Sequence, residues 1–223
     1  VTNIGYILKS NHFEIVMIGV ISGDIIKSQT IPKQQYDAML YQLEQSLRNI
    51  SGEQTLWNIY RGDAFQLQVN NPELLFKNAI LVYLHLKSSG YELRQSLALG
   101  QIDNPRSDIK TATGSAFTLS GQGLDKIGNQ RFVFNINEQQ LDESLNLNLA
   151  FADVLLTKIT QKQANALYVY LTSPDNSHAA LAKELKTSRE NVTKLLNLAH
   201  YQLIERFIKH TQNVIKNIIK GGE

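Results

Sequence analysis

Glu14-Ile15-Val16-Met17-Ile18-Gly19-Val20-Ile21 offers neither side of the chain to water. A continuous apolar, β-branched run of this length, ended by Ser22-Gly23-Asp24, is the pattern of a strand covered on both faces. It predicts a central strand closed by an acidic turn, and so a sheet with cover on each side. The neighbouring segments supply that cover. Pro32 can open a helix, and Tyr36, Met39, Leu40, Leu43 and Leu47 recur at helical spacing up to Ser51-Gly52. Thr55 to Tyr60 and Ala64 to Val69 are short strand-like runs joined by Arg61-Gly62-Asp63, a hairpin in which Gly62 can take positive φ. Pro72 starts a second helix, with Leu74, Leu75, Ala79, Val82, Tyr83 and Leu86 on one side and Ser88-Ser89-Gly90 at its end. Glu92 to Leu99 then reads as a strand ending at Gly100.

The β-α-β-β-α-β order is that of a ferredoxin-like sheet, in which the first strand lies beside the hairpin and Asp24 comes near Asp63. Gln101 to Thr113 is polar and turn-rich, Gly114 to Lys126 a small-residue helix, Arg131 to Ile136 a strand, and Leu141 to Lys158 a bridging helix. Trp57 reads as a core residue and His85 as a satisfied helix residue.

At 223 residues and 43% hydrophobic content, the chain has material for two modest domains. Charge divides it near Ala150. Residues 1 to 150 carry 12 Lys and Arg against 14 Asp and Glu, whereas 151 to 223 carry 10 against 6, a net of −2 followed by +4. The positive excess falls where a phosphate backbone would be met. There is no cysteine, which excludes disulfides, thiolate metal sites and thiol nucleophiles, and the five histidines lack ligand spacing. No apolar run approaches the ~20 residues of a membrane span, and Val1 to His12 lacks a signal-peptide core, so a cytoplasmic location is expected.

Gly-Asp turns are common, and their context here raises the chemistry. The backbone N–H groups of Ile25-Ile26-Lys27-Ser28 can form an anion nest beneath a triphosphate. Two carboxylates sharing one sheet edge repel without a cation, and with a backbone carbonyl they can hold Mg²⁺ or Mn²⁺.

Four stretches resemble, in order, the landmarks of the class III nucleotidyl cyclase catalytic domain: Val20-Ile21-Ser22-Gly23-Asp24-Ile25, Gly62-Asp63-Ala64-Phe65, Leu97-Ala98-Leu99-Gly100 and Gly114-Ser115-Ala116-Phe117. The nearest likeness is to the SatD family of small bacterial proteins. The resemblance covers about residues 14 to 137 and implies Asp24, Asp63 and the carbonyl of Ile25 as metal ligands. It implies Ile26, Lys27, Ser28, Gly62, Thr118 and Gln122 as the nucleotide-binding set. Yet Ile59 stands where cyclases carry a base-selecting Lys, Thr111 where its acidic partner falls, and Thr118 and Gln122 where Asn and Arg serve the ribose and transition state. Loss of such an arginine costs about 10³ or more in rate. The resemblance therefore implies weak nucleotide binding and negligible cyclisation.

The last third has a different grammar. Thr160-Gln161-Lys162-Gln163 is a capping-box pattern, and Ala164, Leu167, Tyr168 and Leu171 continue a helix stopped by Ser173-Pro174. Ser177 caps a second helix with Ala180, Leu181 and Leu185 inward. Thr187-Ser188 makes a turn, Ala182 permits close approach, and Ser188 caps a third helix beginning Arg189-Glu190-Asn191-Val192-Thr193-Lys194. This segment resembles the region-four helix-turn-helix of sigma factors, which implies Arg189, Asn191, Thr193 and Lys194 as DNA readers. Such units also serve as protein-interaction modules. From Arg189 to Lys220 there is no Pro or Gly, predicting one helix of about 30 residues with Leu196, Ala199, Leu203, Phe207, Val214 and Ile218 as its stripe. That stripe would pack on the bridging helix or zip against a second copy.

The expectation is an α+β protein: a ferredoxin-like, cyclase-like domain at 1–150, then an all-α helix-turn-helix domain at 151–223 with a long C-terminal helix. It would act as a homodimeric DNA-binding regulator whose first domain senses a nucleotide with Mg²⁺ or Mn²⁺. Two alternatives stay open: an active cyclase or related phosphotransferase with a helical assembly domain, and a non-catalytic scaffold.

Overall fold

The computed structural model describes residues 6–10, 13–51, 56–103, 108–137 and 143–221. It is a mixed α+β structure. Six strands form one sheet: β1 (Tyr6–Ser10), β2 (Phe13–Ile25), β3 (Trp57–Tyr60), β4 (Ala64–Val69), β5 (Leu93–Ile102) and β6 (Phe132–Asn135). Their order is β3-β4-β2-β5-β6. β2 is antiparallel to both β4 and β5, β3 is antiparallel to β4, and β6 joins β5 in parallel. β1, which sequence patterning did not predict, pairs antiparallel with the first part of β2. It takes the edge left beyond Gly19, where β4 ends.

The central strand is longer than its apolar run. Ser22, Gly23 and Asp24 continue the ladder opposite Gln66, Phe65 and Ala64 on one side and Ser96, Gln95 and Arg94 on the other, so the expected turn there is strand instead. Gly23 is required by packing. A Cβ at that position would lie 2.6 Å from the Phe65 ring and 2.8 Å from the Arg94 carbonyl. The true turn is Arg61-Gly62-Asp63, where Arg61 at φ 54 and Gly62 at φ 85 give the left-handed pair that suits a tight hairpin. Thr55, expected in the preceding strand, lies outside the described residues.

Helices α1 (Lys33–Ser51) and α2 (Leu75–Ser88) cover one face. Met17, Ile21 and Ile25 of β2 meet Met39, Leu43, Leu47, Leu75 and Phe76 there, all buried in one cluster. The opposite face of β2 gives Val16, Ile18 and Val20 to Ala116 and Phe117 of α3 (Ser115–Lys126). Both sides of the strand are thus closed, as its composition requires.

Five further helices follow: α4 (Glu143–Lys158), α5 (Gln161–Thr172), α6 (His178–Glu184), α7 (Arg189–Leu198) and α8 (Tyr201–Gly221). Leu141, expected to open the bridging helix, lies outside the described residues. Leu156, Leu167, Ile204, Ile208, Ile215 and Ile219 belong to the same apolar cluster as α1, α2 and the sheet. A second, smaller cluster of Ala166, Val169, Leu181, Ala182, Val192 and Leu196 ties α5, α6 and α7 together.

The single long helix from Arg189 is not what forms. α7 ends at Leu198, and His200 at φ 53 turns the chain before α8 begins. Histidine tolerates that left-handed conformation better than most residues, so neither Gly nor Pro marks the break. The bend lets α7 pack inside the trihelical unit while α8 turns toward α2 and α4. It also changes the stripe: Ile204, Ile208, Thr211, Ile215 and Ile219 form the buried line of α8, whereas Leu203 is 50% exposed. Phe207, Val214 and Ile218 flank that line, half-buried. Of the two packing modes expected for this segment, the described contacts are with α4, α2 and the turn at Pro72–Leu74 of its own chain.

Candidate functional site

The end of β2, the turn after it and the hairpin tip converge on one cleft of about 510 Å³. Asp24, Ile25, Ile26, Lys27, Ser28 and Asp63 all line it. Six of the residues predicted from sequence are therefore brought together, because Asp24 pairs with Ala64 across the ladder and Asp63 immediately precedes it. Gly62 serves the hairpin instead, facing the Tyr36 hydroxyl, which a Cβ would meet. Thr118 and Gln122 are exposed on α3 and do not line the cleft. The Thr118 hydroxyl donates to the Gly114 carbonyl at 3.3 Å.

Polar groups at the cleft are largely engaged with one another. Arg94, opposite Asp24 on β5, donates from Nε to Asp24 Oδ1 at 2.8 Å and from Nη2 to Oδ2 at 3.0 Å, a two-point guanidinium–carboxylate pair. That carboxylate holds the Arg94 guanidinium all the more firmly protonated. Asp63 Oδ2 accepts from the Ser28 hydroxyl at 2.5 Å. Lys27 sits in the left-handed region at φ 56 and starts a single 3-10 turn over Ser28–Thr30. The expected anion nest is thinner than its sequence implies. The Ile25 N–H donates to the Asp63 carbonyl at 3.1 Å and the Ile26 N–H to the Glu92 carbonyl at 2.8 Å, which leaves the Lys27–Ser28 end of the turn.

Sequence reading missed Arg131, which lines this cleft and an adjoining hollow of about 330 Å³ with Tyr91 and Glu92. Its Nε has no hydrogen-bond partner among the described residues and lies 3.7 Å from Glu92 Oε2. Its backbone N–H donates to Asp153 of α4 at 3.0 Å. The only local signal was a cation placed one turn after Gly128. Three cations, Lys27, Arg94 and Arg131, thus face two carboxylates, and the cleft favours an anionic ligand over a bare cation. Among the described residues no group of three or more His, Asp or Glu side chains is gathered as a metal cage. A divalent ion at Asp24 would have to displace Arg94.

Behind the cleft, Glu92 anchors a second polar knot. Lys87 Nζ donates to Glu92 Oε1 at 2.5 Å and to the Thr157 carbonyl at 3.1 Å, and Tyr83 donates to Glu92 Oε2 at 3.2 Å. Burial and the Glu92 charge push the Tyr83 phenol far above its ordinary range. The knot joins α2, the residue leading into β5 and the end of α4.

The helix-turn-helix residues have the opposite character. Thr160 and Gln163 form the expected reciprocal capping box, Ser177 accepts from the Ala180 N–H, and Ser188 accepts from the Asn191 N–H. Lys186 at φ 51 makes the corner, with the Thr187 N–H closing onto the Ala182 carbonyl at 2.9 Å. With Val192 and Leu196 buried, Arg189, Asn191 and Lys194 point outward and are exposed. Thr193 is half-buried and turned toward α6. Its hydroxyl lies 2.8 Å from His178 Nδ1 and donates to the Arg189 carbonyl at 3.0 Å. Asn191 Nδ2 donates to the Thr187 hydroxyl. Lys183 and Lys186 add exposed cations beside α7.

Neither a known family model nor a curated protein sequence matches the chain. Among the described residues no helix is long and apolar enough to cross a membrane.

Proposed function

We propose that the protein is a homodimeric DNA-binding regulator whose sheet-edge cleft senses a nucleotide-type anion, with Mg²⁺ or Mn²⁺ as its counterion. The observation that carries this reading is the outward, unburied display of Arg189, Asn191 and Lys194 on the first turns of α7, with Lys183 and Lys186 alongside. A basic, groove-sized helix held by a trihelical unit supplies both phosphate attraction and base-edge donors. Support for the sensing domain is the strand order β3-β4-β2-β5 with antiparallel neighbours, the arrangement expected of a ferredoxin-like, cyclase-like sheet. The ligand reading rests on the cations of the cleft. A nucleotide phosphate would draw Arg94 from Asp24, freeing that carboxylate and Asp63 for the metal beside the Ile25 carbonyl. Binding without turnover is expected, since Ile59, Thr118 and Gln122 stand where the resemblance requires the base-selecting lysine and the asparagine and arginine of the ribose and transition state.

Fluorescence anisotropy against DNA fragments from around the gene tests the reading. Binding that weakens steeply with salt and falls on Lys194→Ala supports it; no binding at low salt by folded protein refutes it. Thermal-shift titration with nucleoside triphosphates and Mg²⁺ tests the cleft separately, a null result with all four removing the sensor.

A further inference from the structure

The outer face of α4 carries apolar side chains that stand exposed among the described residues. Leu147 is 59% exposed, Phe151 61% and Val154 53%, and Ala150 between them is exposed as well. Glu143, Leu147, Ala150, Val154 and Thr157 recur at alternating spacings of four and three, the seam of a two-helix pairing. Three large apolar side chains on one 16-residue helix are a cost in water unless something covers them.

The charges on α4 say which partner and which way round. The point that matters lies between Ala150 and Phe151. Leu147 and Val154 are equidistant from that point, and so are Glu143 and Lys158 at the two ends. Among the described residues neither Glu143 nor Lys158 has an ion-pair partner. A twofold axis through that point, with the helices antiparallel, sets Leu147 against the second copy's Val154, and Glu143 against the second copy's Lys158. A parallel arrangement would set like charges together at both ends. An unrelated partner places no demand for this symmetry, whereas a self-complementary interface does. Beside the stripe, α4 and α8 leave a hollow of about 450 Å³ walled by Leu155, Leu203 and Phe207, which offers room for the second copy's Phe151 ring.

We propose that this face of α4 is the dimer interface of the protein, pairing antiparallel with a second copy about Ala150. The proposal deepens the dimeric reading above and is independent of DNA binding.

The chain has no cysteine, so a single introduced thiol reports the geometry directly. Ala150→Cys places two thiols beside the axis and is expected to form a covalent dimer on mild oxidation. Lys158→Cys alone places them at opposite ends, about 22 Å apart along the pair at ~1.5 Å per residue, and is expected not to. Mixing Glu143→Cys with Lys158→Cys should restore the cross-link. Phe151→Asp should weaken dimerisation by at least about tenfold in sedimentation, with an unchanged circular dichroism spectrum as the folding control. A native chain that sediments as a monomer at micromolar concentration overturns both the dimeric reading and this surface. A native dimer in which Ala150→Cys fails to cross-link, or Lys158→Cys cross-links as readily, overturns this surface alone.

Discussion

At the sheet-edge cleft and on the face of α7, the same kinds of side chain meet two different fates. Both carry arginine, lysine and short polar groups in an order that points to phosphate chemistry. In the cleft they are spent on one another: Arg94 holds both oxygens of Asp24, and Ser28 donates to Asp63. On α7, Arg189 and Lys194 stand free in water, held apart from the fold by a buried Val192–Leu196 side. A ligand at the cleft must first break protein contacts, whereas one at α7 gains its contacts outright. On the reading proposed above, α7 is the constitutive surface and the cleft the conditional one.

The largest expected effect tests whether the two regions are mechanically one. Leu167 of α5 is fully buried in the cluster shared with α2 and the sheet, whereas Leu181 of α6 belongs to the small trihelical cluster. Leu167→Ala should cost about 2–5 kcal/mol and lower the thermal midpoint of the whole molecule. Trp57, the single tryptophan, is buried in the sheet and reports that region; far-ultraviolet dichroism reports the helices. Both signals should shift together for Leu167→Ala, while Leu181→Ala should disturb the helical signal more than the tryptophan. Independent transitions, with Trp57 unmoved by Leu167→Ala, would break the connection and leave two autonomous units.

The next effect sharpens the α7 side. Arg189→Ala should cost about 1–3 kcal/mol at the preferred DNA site, against a small loss elsewhere, if it meets a base edge. Lys194→Ala should weaken all sequences alike and flatten the salt dependence by about one phosphate contact. Equal, sequence-blind losses for both would reduce the surface to electrostatic attraction.

A smaller effect asks what Asp24 does at rest. Because Asp24 accepts two hydrogen bonds from a guanidinium that is itself 37% exposed, Asp24→Ala should destabilise the ligand-free protein by about 1–2 kcal/mol, solvent screening included. A rise in thermal midpoint on that substitution would mean that repulsion between Asp24 and Asp63 outweighs the Arg94 pair, which is the state of an empty metal site.

The sequence made the α+β class, nearly every element and the capping residues Ser177, Ser188 and Thr160 legible, since these follow from local periodicity and side-chain chemistry. It also brought Asp24 and Asp63 to one cleft, because ladder register fixes where strand ends meet. Several features escaped, the pairing of β1 with β2 among them. Ser22-Gly23-Asp24 looked like a turn because glycine is a turn former, yet here Gly23 is small to fit under Phe65. The break at His200 escaped because a left-handed residue other than glycine leaves no composition signal. Arg131 enters the cleft from just ahead of β6, far from β2 in sequence, and a lone cation has no periodicity to read.

The smallest effect lies where the two regions touch. His85 of α2 faces Gln42 of α1, its Nε2 3.1 Å from Oε1, and its ring meets Tyr168 of α5 edge-on with centroids 5.3 Å apart. Burial holds its pKa below the ordinary value near 6.5. The folded protein therefore keeps the ring neutral in a range where the unfolded chain already takes a proton. Stability from this group is fully present above about pH 6.5 and is lost as pH falls through the lowered folded value. His85→Gln, which cannot be protonated, should remove that part of the acid loss. Urea midpoints at about pH 7.5 and about pH 5.5 should then lie closer together in the variant than in the native chain. An unchanged gap would assign the acid sensitivity to the carboxylates and make the contact between α2 and α5 indifferent to protonation.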